Sequence, residues 1–251
     1  MTPFVRPRPV DRPALRLVGF HHAGGSASVY HPMGRDLPRD WDLVLLDLPG
    51  RGKRHSQPPL LDMRELVSLA LADVLPWLDA PVALFGHSLG AILAVEVARG
   101  LEARGTVPSW VAVSGRVAPV HQEQVRRRLH TLEDAELLDE LLGLGGTPER
   151  VREVPGFVER FLRISRADLR AVESYRPQAR RAPLSCPIVA LGGLGDAWAP
   201  QDSMLAWEQE TTAGFRSRFF PGGHFYFLGE QFAGFTRQLV ADTQDLVPTA
   251  V

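Results

Sequence analysis

The sequence predicts an α/β fold: a mostly parallel central sheet with helices on both faces and a helical lid insertion. Three observations predict it. Short apolar, β-branched runs alternate with amphipathic helical stretches, the rhythm of a parallel sheet covered on both sides. The pentapeptide Gly86-His87-Ser88-Leu89-Gly90 follows the apolar run Pro81–Phe85 directly. A strand, a sharp turn at a serine and a helix are implied there, with flanking glycines that avoid a Cβ clash. Finally, the stretch from about 117 to 181 is helical in pattern and poor in strands.

Composition sets the frame. With 251 residues, 45% hydrophobic and 23% charged, the chain suits one large domain, 1–251, with 117–181 as an insertion within it. A net charge of −1 gives no global basic footprint for nucleic acid. The single cysteine, Cys186, precludes an internal disulfide framework. It precedes Pro187 at a strand start and reads as a buried structural thiol. The segment Met1–Pro13 carries Pro3, Pro7, Pro9 and Pro13 among several arginines. It lacks the apolar core of a signal peptide and reads as a loose arm. The longest apolar stretch, Leu66–Leu78, is broken by Asp73 and Pro76 and is too short to span a bilayer. A cytoplasmic monomer with no membrane partner is expected.

The elements follow in order. Leu15–Phe20 is a short apolar strand running into His21-His22-Ala23-Gly24-Gly25-Ser26. Asp42–Asp47 is a second, closed by Leu48-Pro49-Gly50. A helix begins at Asp62, where Glu65 completes a capping-box pattern and Met63, Leu66, Val67, Ala70, Leu71, Val74 and Leu75 recur at helical spacing. Val82–Phe85 leads into the serine turn and a helix over Ala91–Ala98 that fades at Arg104-Gly105. Trp110–Ser114, Cys186–Leu191 and Phe215–Phe220 are further strands, and an amphipathic helix closes the chain. Within 117–181, Thr131–Asp134 reads as the cap of one helix. Thr147-Pro148-Glu149 opens another, and Phe157, Phe161, Leu162, Ile164, Leu169 and Val172 continue an apolar stripe. The insertion reads as a lid above Ser88, with glycine hinges.

Chemistry centres on Ser88, a poor nucleophile until a base takes its proton. His224 follows a strand through Gly222-Gly223 and so lies on a loop at the same sheet rim; it is the expected base. His87 is expected to pack under the turn. His21 and His22 lie near the site but upstream of the nucleophile, and His31, His55, His121 and His130 read as surface or lid positions without a role. An acid must orient the imidazole and stabilise its charged form. Asp196 follows the strand ending at Leu191 and falls between Ser88 and His224, the chain order this arrangement uses. Asp202 reads as a helix-start carboxylate, Asp168 as a paired group on a solvated face, and Asp47 as out of order. For the oxyanion, the backbone N–H groups of Leu89 and Ala23 are the expected donors. No metal-ligand spacing and no phosphate or dinucleotide fingerprint is present, so neither a metal nor a cofactor is expected.

Four segments together carry a narrower signal: Phe20-His-His-Ala-Gly-Gly-Ser-Ala27, Leu48-Pro-Gly-Arg-Gly52, Gly86-His-Ser-Leu-Gly90 and Gly222-Gly-His-Phe225. In these, and over about 14 to 240, the chain resembles the type II thioesterases of polyketide and non-ribosomal peptide biosynthesis, members of the α/β-hydrolase superfamily. The resemblance implies hydrolysis of acyl groups held as thioesters on the phosphopantetheine arm of a carrier protein. It implies Ser88, Asp196 and His224 as triad and the Ala23 and Leu89 amides as oxyanion hole. One departure is His21, where many relatives have proline. Acyl or peptidyl carrier domains are the implied partners, and Arg126, Arg127, Arg128, Arg160, Arg163, Arg166 and Arg170 could meet an acidic carrier. The elbow and triad also suit an esterase or lipase on free esters, an acyltransferase, or a non-catalytic binding relative.

Overall fold

The computed structural model describes residues 3–124, 128–178 and 180–248. Its sheet contains β1 (Phe4–Val5), β2 (Leu15–Phe20), β3 (Trp41–Leu46), β4 (Val82–His87), β5 (Val111–Ser114), β6 (Ile188–Gly193) and β7 (Phe215–Phe220). Their spatial order is β1-β3-β2-β4-β5-β6-β7, parallel throughout except for β1. The helices are α1 (Met33–Asp36), α2 (Met63–Val74), α3 (Leu89–Glu102), α4 (Asp134–Gly143), α5 (Pro155–Ser174), α6 (Gln201–Leu205) and α7 (Phe232–Thr243). Among the described residues no helix is long and apolar enough to cross a membrane.

Alternation along each strand sorts side chains onto two faces. Val18, Phe20, Val44, Leu46, Leu84, Val113 and Ala190 point into a core shared with α2 and α3. Leu17, Leu43, Leu45, Phe85, Ala112 and Val189 point into a second core shared with α1 and α7. β2 to β6 are largely apolar because both faces are buried, whereas the edge strand β7 exposes Arg216, Ser217 and Arg218. Asp62 caps α2 by accepting the Arg64 and Glu65 amides at 2.7 and 3.3 Å. A third apolar cluster joins Leu137, Leu138, Leu141 and Leu142 of α4 to Leu162 and Leu169 of α5. Between β5 and β6 the described residues hold helices joined by loops, with a single isolated bridge, Leu184 to Thr211.

Three expectations need correction. The start of the chain is not a loose arm over its described part: β1 pairs antiparallel with β3, Phe4 is buried against Trp77, and Arg6 reaches Asp42 at 2.8 Å. Thr131 does not cap the first inserted helix, which starts at Asp134; its hydroxyl donates instead to Arg128 O at 2.7 Å. The helix expected at Thr147-Pro148 is only a 3₁₀ turn over Glu149–Glu153. The long helix restarts at Pro155, because a proline pushes the residue before it out of helical geometry, and Val154 sits at φ −120°, ψ 81°.

Asp42 anchors the reordered N-terminal segment. It is fully buried and receives both Arg6 and Arg16, the latter also held by Trp77 O and Asp79. Asp42→Ala should therefore destabilise the fold by about 3 kcal/mol, since it strands a buried guanidinium. Arg6→Ala, at a partly exposed partner, should cost about 1 kcal/mol or less. Urea unfolding of the two variants checks the ranking.

Candidate active site

All strands but β1 run parallel, so the loops after β2, β4, β6 and β7 gather at one rim of the sheet. Ser88 stands between β4 and α3 at φ 56°, ψ −112°, and among the described residues it is the sole non-glycine with positive φ. Its amide donates to Ser114 O at the end of β5, at 2.8 Å. Gly90 must be glycine: a Cβ there would fall 2.0 Å from Phe20 O of the neighbouring strand. Leu89 is the first residue of α3, so its amide points out of the helix end at Ser88.

The loops after β6 and β7 are stitched together. Leu194 N donates to Phe220 O and Gly195 N to Gly222 O, each at 2.8 Å. Gly193 permits this approach, since a Cβ there would meet Gly223 O at 2.2 Å. The stitching sets Asp196 against His224. His224 Nδ1–H donates to Asp196 Oδ2 at 2.8 Å, with both side chains buried. The other carboxylate oxygen, Oδ1, accepts Trp198 N at 2.8 Å and Ala199 N at 3.2 Å. That leaves His224 Nε2 as the ring atom free of the acid. Ser88 and His224 line one cavity of about 460 Å³. Ala23 and His22 also line it, beneath a mostly apolar roof supplied by α4 and α5.

Two residues that hold this site together escaped the sequence reading. Asp168 was expected on a solvated face; it is fully buried. Its carboxylate accepts Arg51 Nη1 at 2.5 Å, Arg51 Nη2 at 3.0 Å and the Gly24 amide at 2.8 Å. One carboxylate on α5 thus ties down the loop carrying Ala23 and the loop after β3. Spacing was the available signal. Ile164, Asp168 and Val172 recur every four residues and share the buried stripe of α5, where a carboxylate must be paired. Asp47 acts similarly, accepting Ala27 N at 2.8 Å and Lys53 N at 2.9 Å.

The other histidines divide. His87 is buried beneath the turn as expected, with Nδ1 bonded to Ser114 Oγ at 2.8 Å. Burial, then the charges of His224 and His22, push its pKa well below the usual value. His22 is pushed down to about 3, by burial and then by His21 and His224. His21 is also pushed to about 3, by burial and then by Arg51. His55 is exposed at the border of the cavity, and His130 lies in the inserted segment, bonded to Glu173. Cys186 is buried, which lifts its thiol to about 12. Among Arg126, Arg127, Arg128, Arg160, Arg163, Arg166 and Arg170, the first two lie outside the described residues. Arg166 is engaged with His130 O, Leu132 O and Asp134. Arg128, Arg160, Arg163 and Arg170 are exposed.

With this geometry in view, comparisons with known proteins place the chain. The thioesterase domain model matches residues 15–242. The chain belongs to the thioesterase family. It is 38% identical over 222 residues to the thioesterase PikA5 of Streptomyces venezuelae, covering 87% of this chain and 77% of that one. It is 38% identical over 222 residues to a probable cadicidin biosynthesis thioesterase of Streptomyces griseus, covering 88% of this chain. That match spans only 60% of the S. griseus relative's own length. Among solved structures, the type II thioesterase BorB from the borrelidin biosynthetic cluster superposes with a TM-score of 0.87 at 36% identity, covering 98% of this chain and 97% of that one. The fold is that of the α/β hydrolases, and the chain groups with the serine thioesterases called type II.

Two outcomes follow from the site. Asp168→Ala frees the Gly24 amide and leaves Arg51 unpaired, so kcat should fall about 100-fold through a misplaced loop while KM changes little; steady-state kinetics on a small acyl thioester checks the split. The second concerns acid. His21 and His22 stay neutral in the fold down to about pH 3, whereas the unfolded chain protonates them below about 6.5. Unfolding therefore takes up protons as pH falls, and stability drops on acidification. Each of the two should cost about 2 kcal/mol between pH 7 and 5. Urea midpoints at the two pH values should show the loss, and His22→Gln should reduce it.

Proposed function

We propose that the protein hydrolyses acyl thioesters held on the phosphopantetheine arms of carrier proteins, with Ser88 as nucleophile, His224 as base and Asp196 as acid. The observation that carries this reading is the buried Asp196–His224 pair opening on the same cavity as Ser88. The family and its type II members support the substrate class. His224 Nε2 takes the Ser88 proton as Oγ attacks the thioester carbonyl. The developing oxyanion falls to the Ala23 and Leu89 amides. The C–S bond breaks, the arm leaves as a thiol with the proton from His224, and acyl-Ser88 forms. Water, deprotonated by His224, then attacks the acyl-serine and releases the carboxylic acid. Asp196 holds the ring in the correct tautomer and stabilises the imidazolium. Thiolate is a good leaving group, so the reaction asks for no metal and no cofactor of the protein's own.

In this reading 117–181 serves as a lid over the acyl chamber, and its exposed arginines Arg163 and Arg170, with Arg160 at the cavity's border, meet an acidic carrier. The work is editing: clearing acyl groups that block a synthase.

Ser88→Ala should reduce turnover of an acyl-loaded carrier by on the order of 10⁶, and Asp196→Asn by about 10⁴. Near-normal rates in either variant would remove that residue from the mechanism. Arg163→Glu with Arg170→Glu should raise KM for the carrier substrate and spare a small thioester of the same acyl group.

A further inference from the structure

Arg116 takes no part in the reaction above, yet it lines the reaction cavity. It follows β5 by two positions, and Ser114, the last residue of β5, is the acceptor of the Ser88 amide. The side chain therefore springs from the rim that carries the nucleophile. It is 8% exposed. Its Nη2 donates to Gln122 Oε1, and Gln122 Nε2 donates onward to Val172 O at 3.4 Å. Its Nε is sealed off without a hydrogen-bond partner among the described side chains, and its Nη1, which makes no hydrogen bond to them, is not sealed off in this way. Among the residues whose side chains are described, 123–127 not being among them, the guanidinium also has no carboxylate within ion-pair distance. Burial pulls it down to about 10, against the opposing pull of Tyr175 and Glu173. Glu173 borders the same cavity. Its own oxygens are taken by the Leu129 amide at 2.8 Å, the His130 amide at 3.4 Å and the His130 ring.

Such a group is costly. A buried donor without an acceptor loses about 1–3 kcal/mol, and folded proteins leave few of them. The wall around it is apolar, including Leu129, Leu141, Ile164, Leu169 and Val172. A plain alkyl chain would fill that wall and leave Nη1 dry and unpaired. An acyl chain with an oxygen at the right depth would satisfy it.

We propose that Arg116 is the polar contact of an acyl subsite, selecting acyl groups that carry a hydrogen-bond-accepting oxygen beyond the thioester carbonyl, such as a ketone, hydroxyl or amide. The inference rests on the thioesterase reading and narrows its substrate class. An oxygen acceptor suits this wall, which Arg51 and Arg160 line together with Glu173. It fits better than an ammonium, which the guanidinium itself repels.

The test compares matched N-acetylcysteamine thioesters, butyryl against 3-oxobutyryl and hexanoyl against 5-oxohexanoyl, in the wild type and in Arg116→Met. Dividing the ratio of kcat/KM within a pair by the same ratio in the variant cancels the intrinsic reactivity of each thioester. In at least one pair, Arg116→Met should lower the preference for the oxygenated member by about tenfold or more, with the alkyl member's kcat/KM unchanged or raised. Arg116→Gln, which keeps an N–H donor, should restore part of the preference. If Arg116→Met does not fold, Arg116→Gln and Arg116→Lys run the same comparison. Ratios equal to wild type in both pairs, with turnover intact, would overturn the subsite alone. A wild type that hydrolyses none of the four thioesters would overturn the thioesterase reading and the subsite with it.

Discussion

The site depends on one strained residue. Ser88 is held at φ 56°, ψ −112°, a conformation that costs a non-glycine residue about 1–3 kcal/mol. The surrounding structure over-determines it. Ser88 N is fixed to Ser114 O, and Ala91 N to Ser88 O. Gly90 lies against the carbonyl of Phe20, and Gly86 lies so close to Gly90 that a Cβ on it would fall 1.9 Å from Gly90 O. β2, β4, β5 and α3 thus lock onto one turn. The strain lifts the hydroxyl clear of the sheet and aims the first amides of α3 at the same point.

A stiff turn is of use only if the other loops are held in register with it. The hydrogen bonds from Leu194 to Phe220 and from Gly195 to Gly222 do this for the acid and base loops. The Asp168 carboxylate does it for the loop after β2, with Arg51 as the second tie. Because Asp168 belongs to α5, the helical layer over the cavity and the loop carrying Ala23 are one mechanical unit. Gly24 gives its amide to Asp168, which anchors the loop one residue beyond Ala23.

Much of this was legible in the chain. β2 and β7 have the boundaries expected of them, and the other predicted strands differ by one or two residues. Asp196 and His224 were placed by one rule, that loops at the carboxyl ends of parallel strands converge, and the structure brings them into hydrogen bond. What escaped was partnership across sequence. β1 is two residues long, too short for alternation to show, and it forms because Asp42 draws Arg6 and Arg16 together. Asp168 was misjudged because its neighbours along the chain are arginines, whereas its neighbours along the helix face are Ile164 and Val172. The inserted helices were set one step early because Thr147-Pro148 and Pro155 give the same kind of start signal, and only packing chooses between them.

The crowd of rings beneath Ser88 raises the question of which imidazole can carry a proton. His22 and His87 lie edge-on to one another with centroids 6.1 Å apart, and His87 is 4.7 Å from His224. Burial opposes a charge on His22 and on His87, and the neighbouring imidazoles oppose it further. His87 offers Nδ1 to a neutral hydroxyl, and His22 Nδ1 has no partner among the described residues. Of the three, His224 alone has a carboxylate in hydrogen-bond contact. A transition state that places positive charge on an imidazole is stabilised there and opposed at its neighbours. The same repulsion keeps His22 and His87 neutral while His224 is charged, so the rings surrounding the proposed base act as an apolar wall that keeps its proton on one path.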